Sequence, residues 1–179
     1  MNDAAMMYEH RYQQCRQQGL TGWFDGKALE AVLSRLSERM QADYLPKTGR
    51  VLEMGCGAGD QSLHLAALGY DVSGVDIAST SIAWANEKAI QRGLTADFQV
   101  GNVCNLNAFP DASFDIALDG NCLHFVIGEN RRKFLESAYR VLKPGGWLLI
   151  TSICDAPNAS IAAPGYDPAT RCYIRLYRE

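Results

Sequence analysis

The chain has no pair of cysteines spaced C-x-x-C, although six cysteines are present: Cys15, Cys56, Cys104, Cys122, Cys154 and Cys172. Such scatter encodes neither a zinc site nor a disulfide framework, so no metal is expected and the thiols read as reduced, small apolar side chains. No apolar run approaches the ~20 residues of a membrane span. The start, Met1-Asn2-Asp3-Ala4, lacks the basic-then-apolar order of a secretion signal, so a cytoplasmic protein without membrane partners is expected. Excess positive charge is missing too, with 17 Lys and Arg against 20 Asp and Glu and a net charge of −3. The one dense basic run, Arg131-Arg132-Lys133, falls inside a helix pattern as a solvated face. The chain therefore offers no field for gathering phosphates, and a nucleic-acid partner is not expected.

What is present suits one globular domain over residues 1–179. Hydrophobic residues make up 47% and charged residues 21%, too apolar for a mainly disordered chain. A chain of this length can bury about 70% of its unfolded surface. The most informative stretch is residues 50–60. Val51, Leu52 and Met54 read as a buried strand, Gly55-Cys56-Gly57-Ala58-Gly59 as a loop, and the residues from Gln61 to Leu68 as a helix with Leu63, Ala66 and Ala67 at helical spacing. Glycine at such a turn permits positive φ and lets a ligand lie against backbone N–H groups. A dinucleotide fingerprint would place its third glycine where Asp60 stands, which weakens a pyrophosphate reading. Glu53, just before the loop, would repel a pyrophosphate and favour a cation.

The strand Asp71-Val72-Ser73-Gly74-Val75-Asp76 ends in an acid 21 residues after Gly55, close to the ~20 expected of a carboxylate that reaches ribose hydroxyls. Ile77 could cover a base. Asp25 is expected to cap a helix carrying Ala28, Leu29, Val32, Leu33, Leu36 and Met40, whose apolar face packs on the sheet, and Ser79 the helix carrying Ile82, Ala83, Asn86, Ala89 and Ile90. A third strand covers residues 96–100, leading to Asn102 and Val103, and a fourth covers 114–118. A helix over 129–142 stops at Lys143-Pro144-Gly145-Gly146, and a fifth strand follows over 147–153. This alternation predicts an α/β fold, a Rossmann-like, doubly wound, mostly parallel sheet with helices on both faces.

Glu53-Met54-Gly55-Cys56-Gly57-Ala58-Gly59 resembles motif I of the class I S-adenosylmethionine (SAM)-dependent methyltransferases, and Leu142-Lys143-Pro144-Gly145-Gly146 resembles the turn before their fifth strand. The resemblance implies a small-molecule methyltransferase of the type 11/25 kind with SAM as cofactor and S-adenosylhomocysteine as product. It also implies a division into an N-terminal helical lid (1–46), a cofactor-binding core (47–153) and a shortened C-terminal segment (154–179). Cofactor contacts are expected from Glu53, Gly55, Cys56, Gly57, Gly59, Asp76, Ile77, Asn102, Val103, Asp119 and Asn121. Asn102 stands where relatives carry an acid near the adenine amino group, and its oxygen can accept the same hydrogen bond. Tyr8, Tyr12 and Trp23 are lid and substrate candidates. Asp119 and His124, just past strand four, are candidates for a general base, since open α/β sheets bind ligands at their carboxyl ends. His10 and His64 are assigned to surface or helix packing.

The chain departs from the family after strand five. Only 26 residues follow Ile153; residues 155–168 read as a loop, and only 172–177 alternate like a strand, so the closing helix and hairpin of the family are expected to be incomplete. An uncovered fifth strand is an associating edge, from which a homodimer is expected. No Asp/Asn-Pro-Pro-Tyr element follows strand four, which disfavours nucleobase or glutamine amides as acceptors. Two other readings stay open: a SAM-binding subunit impaired in catalysis, and a nicotinamide-dependent oxidoreductase.

Overall fold

The structure, a computed structural model, describes residues 3–151 together with the backbone of 166–167 and 172–173. Helices α1 (Asp3–Gln17) and α2 (Gly26–Met40) precede an alternating series: β1 (Arg50–Met54), α3 (Asp60–Ala67), β2 (Asp71–Asp76), α4 (Ser79–Arg92), β3 (Asp97–Val100), β4 (Phe114–Asp119), α5 (Glu129–Val141) and β5 (Leu142–Leu149). The five strands pair in parallel in the order β3-β2-β1-β4-β5. Leu52 stands beside Ser73 on one side and Ala117 on the other, so the strand order reverses between β1 and β4. Open sheets bind their ligands above that reversal, where neighbouring loops diverge.

Side chains alternate across β1 because successive strand residues face opposite ways. Val51 joins Leu36 and Met40 of α2, Leu65 of α3, and Val72, Ile116 and Leu118 on one face. Leu52 and Met54 join Phe134, Ala138 and Val141 of α5 on the other. Helix α4 adds Ile82, Ala85 and Ala89 against Phe98 and Leu63. Helices thus cover both faces, as expected. Phe134 is fully buried. Its replacement by alanine leaves a ring-sized void and is expected to cost about 3–5 kcal/mol, seen as a lower urea midpoint at unchanged slope.

Several local expectations are corrected. The Asp25 carboxylate does not cap α2; it accepts the Thr21 hydroxyl at 2.7 Å instead. Only the C-terminal half of α2 reaches the sheet core, through Leu36 and Met40. Ser79 is the first residue of α4 rather than its cap. That cap comes from Glu9 of α1, whose carboxylate accepts the Thr80 N–H and the Ser79 hydroxyl, each at 3.1 Å, and the Thr80 hydroxyl. Strand β5 begins at Leu142, and its pairing with β4 jumps from Leu142 to Trp147, so Pro144-Gly145-Gly146 is a bulge within the strand rather than a turn before it. β5 is an edge of the five-stranded sheet. Residues 166–167 (β6) and 172–173 (β7) form a separate antiparallel pair, which places a short strand where a loop is expected. The rest of the expected strand over 172–177, and Ile153, lie outside the described residues.

Candidate functional site

The end of β1 passes straight into the glycine loop. Gly55 and Cys56 N–H both donate to the Val75 carbonyl, at 2.8 and 3.0 Å, which ties the loop to β2. Gly57 has φ of +53°, and a Cβ there would lie 2.3 Å from the Tyr12 hydroxyl. Only glycine combines that backbone with that approach. Its N–H donates to Asp76 Oδ2 at 2.9 Å, so the acid tipping β2 faces the bend. Asp76 Oδ1 accepts the Ala78 N–H, also at 2.9 Å. Burial pushes the Asp76 carboxyl above its ordinary value, opposed by these backbone donors.

Glu53 is buried at the end of β1. Its oxygens accept the Gln61 amide at 3.0 Å and the Ser62 hydroxyl at 2.5 Å. Burial raises its pKa to about 8, with Asp60 and Asp76 adding to the rise. At neutral pH it is therefore mostly an uncharged acid. Asp60, by contrast, is held by Lys88 at 2.7 Å, and Lys88 lies over the Trp84 ring. Gly22 packs directly on this pair, since a Cβ there would come within 2.5 Å of Asp60 Oδ2.

Between the loops that follow β1 to β4 lies a cavity of about 360 Å³, roofed by α1, α2 and the segment joining them. This size is within the range for one drug-sized ligand. Glu53, Gly55, Cys56, Gly57, Asp76, Ile77, Asn102, Val103 and Asn121 all line it, as do Tyr8, Tyr12 and Trp23. Gly59, Asp119 and His124 do not. Gly59 is the N-cap of α3 and packs on Phe98 and Ala85. Asp119 is fully buried; its Oδ1 accepts the Cys122 and Leu123 N–H groups, each at 2.9 Å, and Oδ2 has no partner. It shapes the loop from beneath. The His124 ring lies 4.1 Å from that of Phe125, and burial lowers its pKa, opposed by Asp119. Neither expected base is therefore on the cavity wall.

Asn102 Oδ1 accepts the Cys104 N–H at 2.9 Å, so one of the two lone pairs of the oxygen expected to face a ligand is already used. Asn121 adopts φ of +62°, and its Nδ2 is buried without a partner. The sequence reading missed Phe125, Leu29 and Val32, which also line the cavity. The helical spacing of Leu29 and Val32 was visible, but it does not say whether a helix face meets the sheet or a ligand. The expected placement of His10 and His64 agrees with their partners, Gln14 and Ser37.

The methyltransferase domain family matches residues 52–150. A ubiquinone biosynthesis O-methyltransferase of Paraburkholderia phymatum is 33% identical over 104 residues, which are 58% of this chain and 44% of that protein. A phosphoethanolamine N-methyltransferase of Triticum aestivum is 31% identical over 127 residues, 66% of this chain and 24% of that one. The chain thus spans less than half the length of these relatives. The crystal structure of a SAM-dependent methyltransferase from Methanosarcina mazei superposes with a TM-score of 0.55 at 37% identity, covering 59% of this chain and 53% of that one.

Proposed function

Because this chain belongs to the methyltransferase domain family, we propose that it transfers a methyl group from SAM to a small-molecule acceptor in the cavity above β1 and β4. The observation that carries this reading is the Asp76 carboxylate facing the Gly57 N–H at 2.9 Å, with both on the wall of one cavity. The residues fit the cofactor. Asp76 would hold the ribose diol, and Ile77 and Val103 would cover the base. Asn102, on the same wall, would meet the base edge. Glu53 would meet the cationic amino group, and the Asn121 amide would find its missing acceptor on a ligand.

When bound, SAM supplies a methyl group on a positively charged sulfur, and transfer to an acceptor lone pair breaks the carbon–sulfur bond with its electron pair remaining on sulfur. The protein's part is alignment and exclusion of water, which can supply about 7–11 kcal/mol. Tyr12, buried against the glycine loop, closes the cavity from the α1 side. Among the described residues no lysine, arginine or histidine lines the cavity.

The test is a thermal and calorimetric comparison of SAM, S-adenosylhomocysteine and NAD. The first two are expected to bind with measurable heat and raise the melting temperature. Stabilisation by NAD alone would point instead to a nicotinamide enzyme.

A further inference from the structure

The cavity wall is unusual in its charge. Among the described residues it bears three carboxyl groups, Glu53, Asp60 and Asp76, and no cationic side chain. Lys88 at 2.7 Å and Arg92 at 3.8 Å reach Asp60, and the Arg11 guanidinium lies over the Trp23 ring at 5.6 Å from its centroid; all three side chains stand outside the wall. An anion seated against the apolar part of this wall would lose its water without gaining a cation from it. Burying a charge without a partner is unfavourable.

Away from the glycine loop the wall is apolar and aromatic. Tyr8 of α1, Trp23 of the α1–α2 segment and Phe125 after β4 form a triangle with ring centroids 6.1, 6.1 and 6.2 Å apart. Tilted and edge-on rings at this spacing favour a further ring packed against them. Leu29, Val32 and Ile127 extend the apolar surface. Into it reaches one unsatisfied donor, Asn121 Nδ2.

We propose that the acceptor subsite takes uncharged, ring-bearing molecules with an oxygen substituent within reach of Asn121, and rejects carboxylates and phosphates. This deepens the methyltransferase reading and rests on it for the word acceptor. Recognition is by rings on three separate segments, so it is completed only when α1 and the loop after β4 are together.

The test titrates the chain with S-adenosylhomocysteine, then with β-naphthol and its carboxylate counterpart β-naphthoate, followed by calorimetry and tryptophan fluorescence. Naphthol is expected to bind at least about tenfold more tightly than naphthoate, about 1.4 kcal/mol. Ile127 is 73% exposed, so Ile127→Arg adds a cation at the cavity edge without disturbing the core. It is expected to tighten naphthoate at least about fivefold, an electrostatic gain of about 1 kcal/mol. Asn121→Ala is expected to weaken naphthol relative to unsubstituted naphthalene. Naphthoate binding as tightly as naphthol overturns the proposal, as does failure of both to bind. The two ring compounds are also compared on the chain without nucleoside, so charge selectivity is read even if the first titration shows no heat. That earlier result would count against the methyltransferase reading alone.

Discussion

Replacing Asp76 by alanine is expected to weaken S-adenosylhomocysteine binding at least tenfold. Each carboxylate oxygen already accepts one backbone N–H, from Gly57 and from Ala78, both at 2.9 Å. Each keeps a further lone pair for a ribose hydroxyl. A hydrogen bond to a charged acceptor contributes about 1.5–3 kcal/mol, and about 1.4 kcal/mol is a factor of ten, so loss of two such bonds comfortably exceeds that threshold. The same change strips acceptors from two buried donors and will lower the melting temperature. Asp76→Asn separates the effects, because its remaining oxygen keeps one of these donors paired while the charge is gone. Affinity should fall in the order Asp, Asn, Ala. Unchanged calorimetric affinity in Asp76→Ala would remove the ribose assignment.

The second large effect is on pH. The pKa of Glu53 is raised by burial to about 8, against about 4.5 for the exposed group. A carboxyl raised on folding contributes stability below its unfolded pKa and loses that contribution as pH rises through the folded value. The unliganded protein should therefore become less stable between about pH 5 and about pH 8, and Glu53→Gln should flatten the slope. A cation arriving beside Glu53 favours the carboxylate and expels its proton. SAM binding should then tighten by about tenfold between pH 6 and pH 8, with a heat that depends on the ionisation enthalpy of the buffer. Both dependences should vanish in Glu53→Gln. A flat affinity profile in the unsubstituted chain would mean that this carboxyl meets no cation.

The strand–loop–helix at residues 50–68 and the acid-tipped β2 were legible because their signals are local: apolar periodicity, glycine, and a fixed spacing. The elements that misled are those whose outcome is decided by distant partners. Pro144-Gly145-Gly146 reads as a turn, yet β4 pairs on both sides of it, and only the position of the neighbouring strand makes it a bulge. Asp119 and His124 have the chemistry of a base, but the left-handed turn at Asn121 sets the direction of the loop, leaving Asn121 and Phe125 on the wall and those two off it. No pattern around Ala78 or Ser79 hints that the cap of α4 comes from Glu9, some seventy positions earlier.

That borrowed cap bears on how anything gets in or out. Helix α1 is fastened to α4 by Glu9 and by the Arg16–Glu87 ion pair, with Arg16 also over Trp84, and Arg16 and Glu87 are both substantially exposed. Exposed pairs of this kind contribute about 0–1 kcal/mol each, little beside the apolar contacts that hold the strands. What holds the roof is therefore its buried face, Ala5, Tyr12 and Cys15 of α1 and Leu36 and Met40 of α2, so opening from this side must part apolar contacts and not only these polar ties.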